Sequence, residues 1–115
     1  MKHFKKHRKF GRERDQRRAL MKSLASSFFI MGKIKTTEAK AKELRPYVEK
    51  FITKTKKPDL TVRRYLAEYF NDIVSKKVIE YGKQYNSRPG GYTRITKLGI
   101  RKRDSAKMAM LELVR

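Results

Sequence analysis

The chain has 115 residues, 32 of them Lys or Arg against 11 Asp or Glu, for a formal net charge of +21 at pH 7. That length allows one domain, and 38% hydrophobic residues are enough for a small core, which excludes wholesale disorder. The absence of cysteine excludes a disulfide framework, a thiolate zinc site and a Cys nucleophile, and a chain this basic belongs against a polyanion, nucleic acid first and an anionic membrane second.

In chain order, residues 1–12 (MKHFKKHRKFGR) hold six basic groups, no acid, and Phe4 and Phe10 as their large aromatic residues. They have too little apolar surface to fold alone and read as an extended basic arm preceding a single domain over 13–115; a merely solvated tail is the competing reading. The next segment resembles a signal peptide at a glance. Lys22 interrupts its apolar run, however, and Glu13 and Asp15 spoil the basic start. No stretch nears the ~20 apolar residues of a membrane span. Leu20, Leu24 and Phe28 recur every four residues with Met21 and Ala25 alongside, which predicts an amphipathic helix over Arg14–Met31, ended by Gly32. Arg14, Arg17, Arg18 and Lys22 fall on its outer face.

The β-branched KIKT predicts a short strand over Lys33–Thr36. Thr37 can cap a second helix, with Glu38 in its first turn and Ala41, Leu44, Val48, Phe51, Ile52 and Thr55 on one side. Pro46 inside that helix predicts a bend or a later start. Pro58-Asp59 opens a short third helix with Leu60, Leu66 and Phe70 as core candidates. Asn71-Asp72 caps a fourth, burying Ile73, Val74, Val78 and Tyr81 and ending at Gly82. Arg64–Glu68 and Lys76–Glu80 are opposite charges four apart on these two helices, which suits water-facing surfaces.

After the loop NSRPGG the period changes to two. Residues Tyr92–Leu98 and Met108–Val114 read as antiparallel strands, joined by the basic connection GIRKRDSAK, with KIKT as a possible third strand. The expected architecture is α+β: a two-layer sandwich of about four helices on one face of a small mixed or antiparallel sheet of about three strands.

Charge is unevenly distributed. Residues 1–22 carry a net +8, residues 33–57 a net +6 and residues 88–115 a net +6, whereas residues 58–87 carry only +1. The near-neutral stretch should face solvent or a protein neighbour while the rest approaches the polyanion.

Catalysis has little support. His3 and His7 both lie in the arm, as extra donors or stacking rings for nucleic acid or simply exposed. The acids are scattered, no catalytic or metal-ligating set is expected, and neither a phosphate-binding GxxxxGK[ST] loop nor a GxSxG elbow occurs. No cofactor is implied. The nucleic-acid signals are stronger, because Lys and Arg neutralise phosphates while exposed rings stack on unpaired bases. Tyr85 and Tyr92 flank the pair Gly90-Gly91, which lets backbone N–H groups approach a phosphate between Arg88 and Arg94. An ordinary turn with Tyr92 in the core is the alternative.

The run Ile34-Lys-Thr-Thr-Glu-Ala-Lys-Ala-Lys-Glu-Leu-Arg45, with Ser87-Arg-Pro-Gly-Gly-Tyr-Thr-Arg-Ile95 and the ending Asp104-Ser-Ala-Lys-Met-Ala-Met-Leu-Glu-Leu-Val114, resembles the bacterial large-subunit ribosomal protein L17 family over essentially the whole chain. The resemblance implies a two-layer α/β fold and a structural role in the large ribosomal subunit, in the cytoplasm. It implies contact with large-subunit rRNA near the tunnel-exit side and with neighbouring ribosomal proteins, an arm threaded into rRNA, and neither a membrane nor a small-molecule substrate. His7, Gly11 and Gln16 depart from the family's usual Gly, Asn and His.

The rRNA contacts expected on these grounds fall in five groups. They are Lys2, His3, Lys5, Lys6, Arg8, Lys9 and Arg12 in the arm, and Arg14, Arg17, Arg18 and Lys22 on the first helix. Lys33, Lys35 and Thr36 lie on the first strand. Arg88, Gly90, Gly91, Tyr92, Thr93 and Arg94 form the glycine loop, and Arg101, Lys102 and Arg103 the basic connection. A non-specific architectural nucleic-acid binder is the alternative reading.

Overall fold

A computed structural model describes residues 13–114. Four helices pack on one face of a three-stranded antiparallel sheet, in the order α1 (Arg14–Met31), β1 (Lys33–Thr37), α2 (Glu38–Lys54), α3 (Leu60–Ala67), α4 (Asp72–Gln84), β2 (Thr93–Ile100) and β3 (Lys107–Leu113). This is the α+β sandwich expected from the residues. The N-terminal arm lies outside the described residues.

The helix boundaries follow their capping chemistry. Gly32 ends α1 at φ 78°, and its N–H donates to the Phe28 carbonyl, a left-handed position that costs glycine nothing. The side chains of Thr37, Asp59 and Asn71 accept from the backbone N–H of Lys40, Val62 and Val74, capping α2, α3 and α4. Helix α2 starts at Glu38 and runs unbroken through Pro46, so the expected late start does not occur. Pro46 leaves one carbonyl of the preceding turn without its helical donor. The buried face of Ala41, Leu44, Val48, Phe51 and Ile52 outweighs that loss, each large side chain contributing about 1.5–3 kcal/mol on burial.

The sheet order is β1-β3-β2. Pairing sets Ile34 opposite Leu111 and Leu111 opposite Ile95, and places Thr36 and Lys97 on either side of Ala109. These residues share the face under the helices, where Ala109 and Leu111 are fully buried. The alternate residues share the opposite face, because side chains of a strand alternate. Strand β2 begins and ends two residues or fewer from its expected limits, and a register shift between Lys97 and Gly99 marks a bulge at Leu98.

The core is aromatic at its centre. Phe51 meets Phe70 at 4.9 Å, Tyr69 at 5.1 Å and Tyr47 at 5.3 Å between ring centroids, and Phe29 meets Phe70 at 5.7 Å. Most of these pairs are edge-on, the arrangement the ring quadrupoles favour.

Three expectations from the sequence are corrected. Leu60 and Ile73, read as core, are 61% and 65% exposed. Each stands at the first or second position of its helix, on the side away from the core, while Val62, Tyr65 and Leu66 of α3 and Val74, Val78 and Ile79 of α4 turn inward. Gly82 does not end α4 but sits inside it, at a point where a Cβ would come 2.3 Å from the Thr55 hydroxyl oxygen and 2.5 Å from its carbonyl oxygen. Arg64, Glu68, Lys76 and Glu80 are all exposed, as their water-facing spacing predicts, although neither pair closes as an ion pair among the described residues. Finally, the α1 stripe is centred on Met21, Ala25, Phe28 and Phe29, with Leu20 and Leu24 only at its flank.

Candidate nucleic-acid interface

Strand parity gathers the first cluster. Lys33 and Arg94 both register opposite Glu112, and Lys35 and Thr96 both register opposite Met110. All lie on the sheet face that no described helix covers, and Lys33, Lys35, Arg94 and Thr96 are exposed. Arg94 Nε meets Glu112 Oε2 at 2.9 Å, so one acid balances part of the charge on this face. Lys33, Arg94 and Glu112 also line a shallow groove with Met31 and Val114 at the sheet's end.

The glycine loop lies at the start of β2. Gly91 takes φ 64° and Gly90 has open space around its α-carbon. Both positions let backbone approach an anion closely. Lys56 holds this loop from below: its ammonium lies 5.0 Å over the Tyr92 ring and donates to the Arg88 carbonyl. Arg88 itself lies 5.9 Å over the Tyr85 ring.

The third cluster is the β2–β3 hairpin tip, at the far end of the same strands. Arg101, Lys102 and Arg103 are exposed there. With β2 eight residues long, the tip and the glycine loop are separated by roughly 25 Å of strand. The two basic loops therefore bracket the sheet without meeting. On α1, Arg14 and Arg18 are exposed and Arg17 half-buried.

Several expected contact residues are turned elsewhere. Tyr92 and Tyr85 are 1% and 4% exposed, so neither is a surface ring. The Tyr92 hydroxyl lies 3.0 Å from Thr53 Oγ1, and the Tyr85 hydroxyl donates to the Val114 carbonyl. Thr93 is buried because its N–H and hydroxyl both donate to Glu49, and Thr36 is buried beneath α2 beside Ala109. Lys22 points along the helix layer, 5.4 Å over the Tyr69 ring, and donates to the Glu68 carbonyl at 3.4 Å. Arg101 is engaged by Asp104 at 2.7 Å. The arm residues Lys2, His3, Lys5, Lys6, Arg8, Lys9 and Arg12, with Phe4, His7 and Phe10, lie outside the described residues.

Three lysines escaped the sequence reading. Lys42, Lys97 and Lys107 surround Glu38 near the N-terminus of α2, where the bond from Lys42 and the charges of all three hold its carboxyl below the usual range. Lys97 and Lys107 are outward-looking positions by composition alone. Only the pairing register brings them beside Glu38. Among the described residues no group of three or more His, Asp or Glu is placed to hold a metal, and no helix is long and apolar enough to cross a membrane.

The family model for ribosomal protein L17 matches residues 20–114. The chain is 47% identical over 116 residues to the large ribosomal subunit protein bL17 of Gemmatimonas aurantiaca, covering 99% of this chain and 98% of that one. It is 47% identical to bL17 of a Thermoanaerobacter species over 94% of this chain and 98% of the relative. With bL17 of Clostridium acetobutylicum the identity is 46% over 94% and 96%.

Proposed function

The chain belongs to the ribosomal protein L17 family, and is thus a structural, non-catalytic protein of the bacterial large ribosomal subunit; from that membership we propose that it binds large-subunit rRNA in the cytoplasmic ribosome by neutralising phosphate charge. The observation that carries this reading is the segregation of charge on the fold. Helices α3 and α4 lie within the segment of net +1. The exposed cations of α1, the open sheet face, the glycine loop and the hairpin tip lie in segments that hold nearly all the rest. Among them Lys33, Lys35, Lys102 and Arg103 have no acidic partner among the described residues, and such cations repel one another unless a polyanion lies between them.

In this reading Arg14, Arg17 and Arg18 add to the charge that the basic arm carries. Lys33, Lys35 and Arg94 meet phosphates on the sheet face. Gly90 and Gly91 present backbone N–H groups beside Arg88, and Lys102 and Arg103 form a separate anchor. Residues 1–12 extend into rRNA as a distinct segment from the domain at 13–115. Neighbouring ribosomal proteins take the α3–α4 side, where Leu60 and Ile73 are exposed without strong net charge.

The test is binding to large-subunit rRNA fragments across a salt series. Contact with about seven to ten phosphates gives a log–log slope of roughly −5 to −9, and a slope shallower than about −2 sinks the reading. A non-specific architectural protein would instead bind duplex DNA and folded rRNA equally and leave the large subunit in gradients at high salt. Mass spectrometry of gradient fractions separates the two, since a structural constituent travels stoichiometrically with the subunit.

A further inference from the structure

We infer that Asp104, the one acid in the hairpin tip, is a positioning residue for RNA: it locks the loop so that Lys102 and Arg103 stand as a preorganised pair of cations toward backbone phosphates. The inference rests on the rRNA-binding reading and deepens it.

Counted as charge, Asp104 is misplaced. It sits immediately after Arg101, Lys102 and Arg103, where it subtracts one unit from the attraction the tip exerts on phosphate. Its geometry gives it another use. Oδ1 accepts from Arg101 Nε at 2.9 Å and from the Ala106 N–H at 3.2 Å, while Oδ2 accepts from Arg101 Nη2 at 2.7 Å. The two-pronged arginine–carboxylate contact fixes both distance and plane, and the third bond ties that plane to the backbone leaving the loop. Two main-chain bonds close the same turn, Arg101 N–H to the Ala106 carbonyl at 2.8 Å and Ser105 N–H to the Arg101 carbonyl at 2.9 Å. Ser105 sits at φ 60°, a left-handed conformation that a non-glycine residue holds only when its surroundings impose it.

The consequence falls on the two residues between the clasped ends. Lys102 and Arg103 are exposed at the apex, with no ion-pair partner among the described residues. A loose basic loop would have to order itself on binding, which weakens association for each long side chain immobilised. The clasp does that ordering in the free protein. The Asp104 carboxyl is held down to about 2 by Arg101 and by the Ala106 N–H, so the clasp stays charged throughout the physiological range. Exposed ion pairs contribute little to global stability, so variants at Asp104 should fold.

The experiment measures binding of the full chain to large-subunit rRNA fragments over a salt series. The variants are Asp104→Ala, Arg101→Ala, their double, Lys102→Ala with Arg103→Ala, and Glu80→Gln, which raises net charge by the same unit on exposed α4. Asp104→Ala should bind roughly three- to tenfold more weakly than the unaltered chain, although it is more positive, with an undiminished salt slope and an unchanged melting curve. Glu80→Gln should bind equally or slightly more tightly. Arg101→Ala should weaken binding as well, and the Asp104/Arg101 double should be no worse than the weaker single, as expected of two halves of one clasp. Equal or tighter binding by Asp104→Ala overturns the positioning role. If the Lys102/Arg103 double leaves affinity and slope untouched, the tip is no RNA contact and the underlying reading of this loop fails. A loss in that double alone, with Asp104→Ala unaffected, rejects only the clasp.

Discussion

The Glu49 carboxylate accepts two hydrogen bonds from one residue of the edge strand, the Thr93 N–H at 3.1 Å and the Thr93 hydroxyl at 2.7 Å. Arg45, one helical turn earlier, donates to the Thr93 carbonyl at 3.2 Å and lies 3.8 Å from Glu49. Helix α2 thus grips both backbone polar groups at the start of β2, on a strand that has a sheet neighbour on one side only. Glu49→Ala would leave a buried N–H and hydroxyl without their acceptor, a loss of about 1–3 kcal/mol. Thr93→Val removes only the hydroxyl bond and should cost less. Urea unfolding of both singles and the double gives the coupling. If Glu49→Ala shifts the midpoint no further than Glu80→Ala on the exposed side of α4, the grip contributes nothing.

Gly82 makes a sharper stability test, because helix propensity and packing disagree in sign. Alanine should favour an interior helical position by ~1 kcal/mol. Its Cβ, however, would stand 2.5 Å from the carbonyl oxygen and 2.7 Å from the carbonyl carbon of Thr55. Thr55 is fixed in turn: its hydroxyl donates to the Ile52 carbonyl at 2.9 Å and reaches the Val78 carbonyl at 3.2 Å. The backbone cannot yield without parting α2 from α4, so Gly82→Ala should lower stability by about 1–3 kcal/mol. Adding Thr55→Ser should not rescue it, since serine keeps the hydroxyl oxygen, which would lie 2.3 Å from the new Cβ, as well as the main-chain atoms. A raised melting temperature for Gly82→Ala would show that the helices separate easily.

Gly82 also shows where reading the sequence reaches its limit. Helix ends, caps and strands depend on neighbours in the chain, and Gly32, Thr37, Asp59 and Asn71 all act as their local chemistry indicates. A glycine near the end of a helical pattern looks the same whether it terminates the helix or admits a neighbouring one. Only the approach of Thr55, 27 positions earlier in the chain, distinguishes the two. Leu60 and Ile73 fail for a related reason, as the first turn of a short helix has too few residues to reveal which side is apolar. At the candidate site, basic residues were legible but their partners were not. Lys22 folds onto Tyr69 and Arg101 onto Asp104, and the pairing register alone sets Lys33 and Arg94 on either side of Glu112. On sequence alone Tyr92 fits a stacking ring as well as a core position, and its burial with the hydroxyl against Thr53 identifies the second.

The tyrosines predict how the fold responds to alkali. Burial, with Tyr69 and Tyr65 nearby, pushes the Tyr47 hydroxyl up to about 12. Burial likewise raises Tyr65, Tyr81 and Tyr85. A group that holds its proton more tightly when folded contributes stability below its unfolded pKa and loses it as pH rises through the folded value. Stability should therefore be level below about pH 10 and fall between about 10 and 12. Tyrosinate absorbance of these four should rise late, with Tyr47→Phe removing the last-titrating component, whereas Tyr92, lowered against its burial by bonds to Lys56 and Thr53, should ionise early. Titration of Tyr47 and Tyr65 near the ordinary value, with the protein still folded, would contradict their packing around Phe51.

Charge segregation predicts where RNA should and should not be found. Arg63, Lys76 and Lys83 lie on α3 and α4, in the segment of net +1, with Asp59 and Glu68 at the two ends of α3 and Asp72 and Glu80 within α4. Lys102 and Arg103 stand clear of any acid but the clasped Asp104. Isolated cations release counterions when they meet phosphate, whereas cations already among acids gain less. Photochemical crosslinking in assembled subunits should therefore join the hairpin tip to RNA and the α3–α4 face, beginning at exposed Leu60 and Ile73, to protein. Neutralising Arg63, Lys76 and Lys83 together should leave the salt slope of rRNA binding within about one unit of the unaltered chain. Neutralising Lys33, Lys35 and Arg94 on the sheet face should reduce its magnitude by roughly two to three. Abundant RNA crosslinks from Arg63, Lys76 or Lys83, or equal effects of the two triple variants, would mean that the fold does not sort its charge by partner.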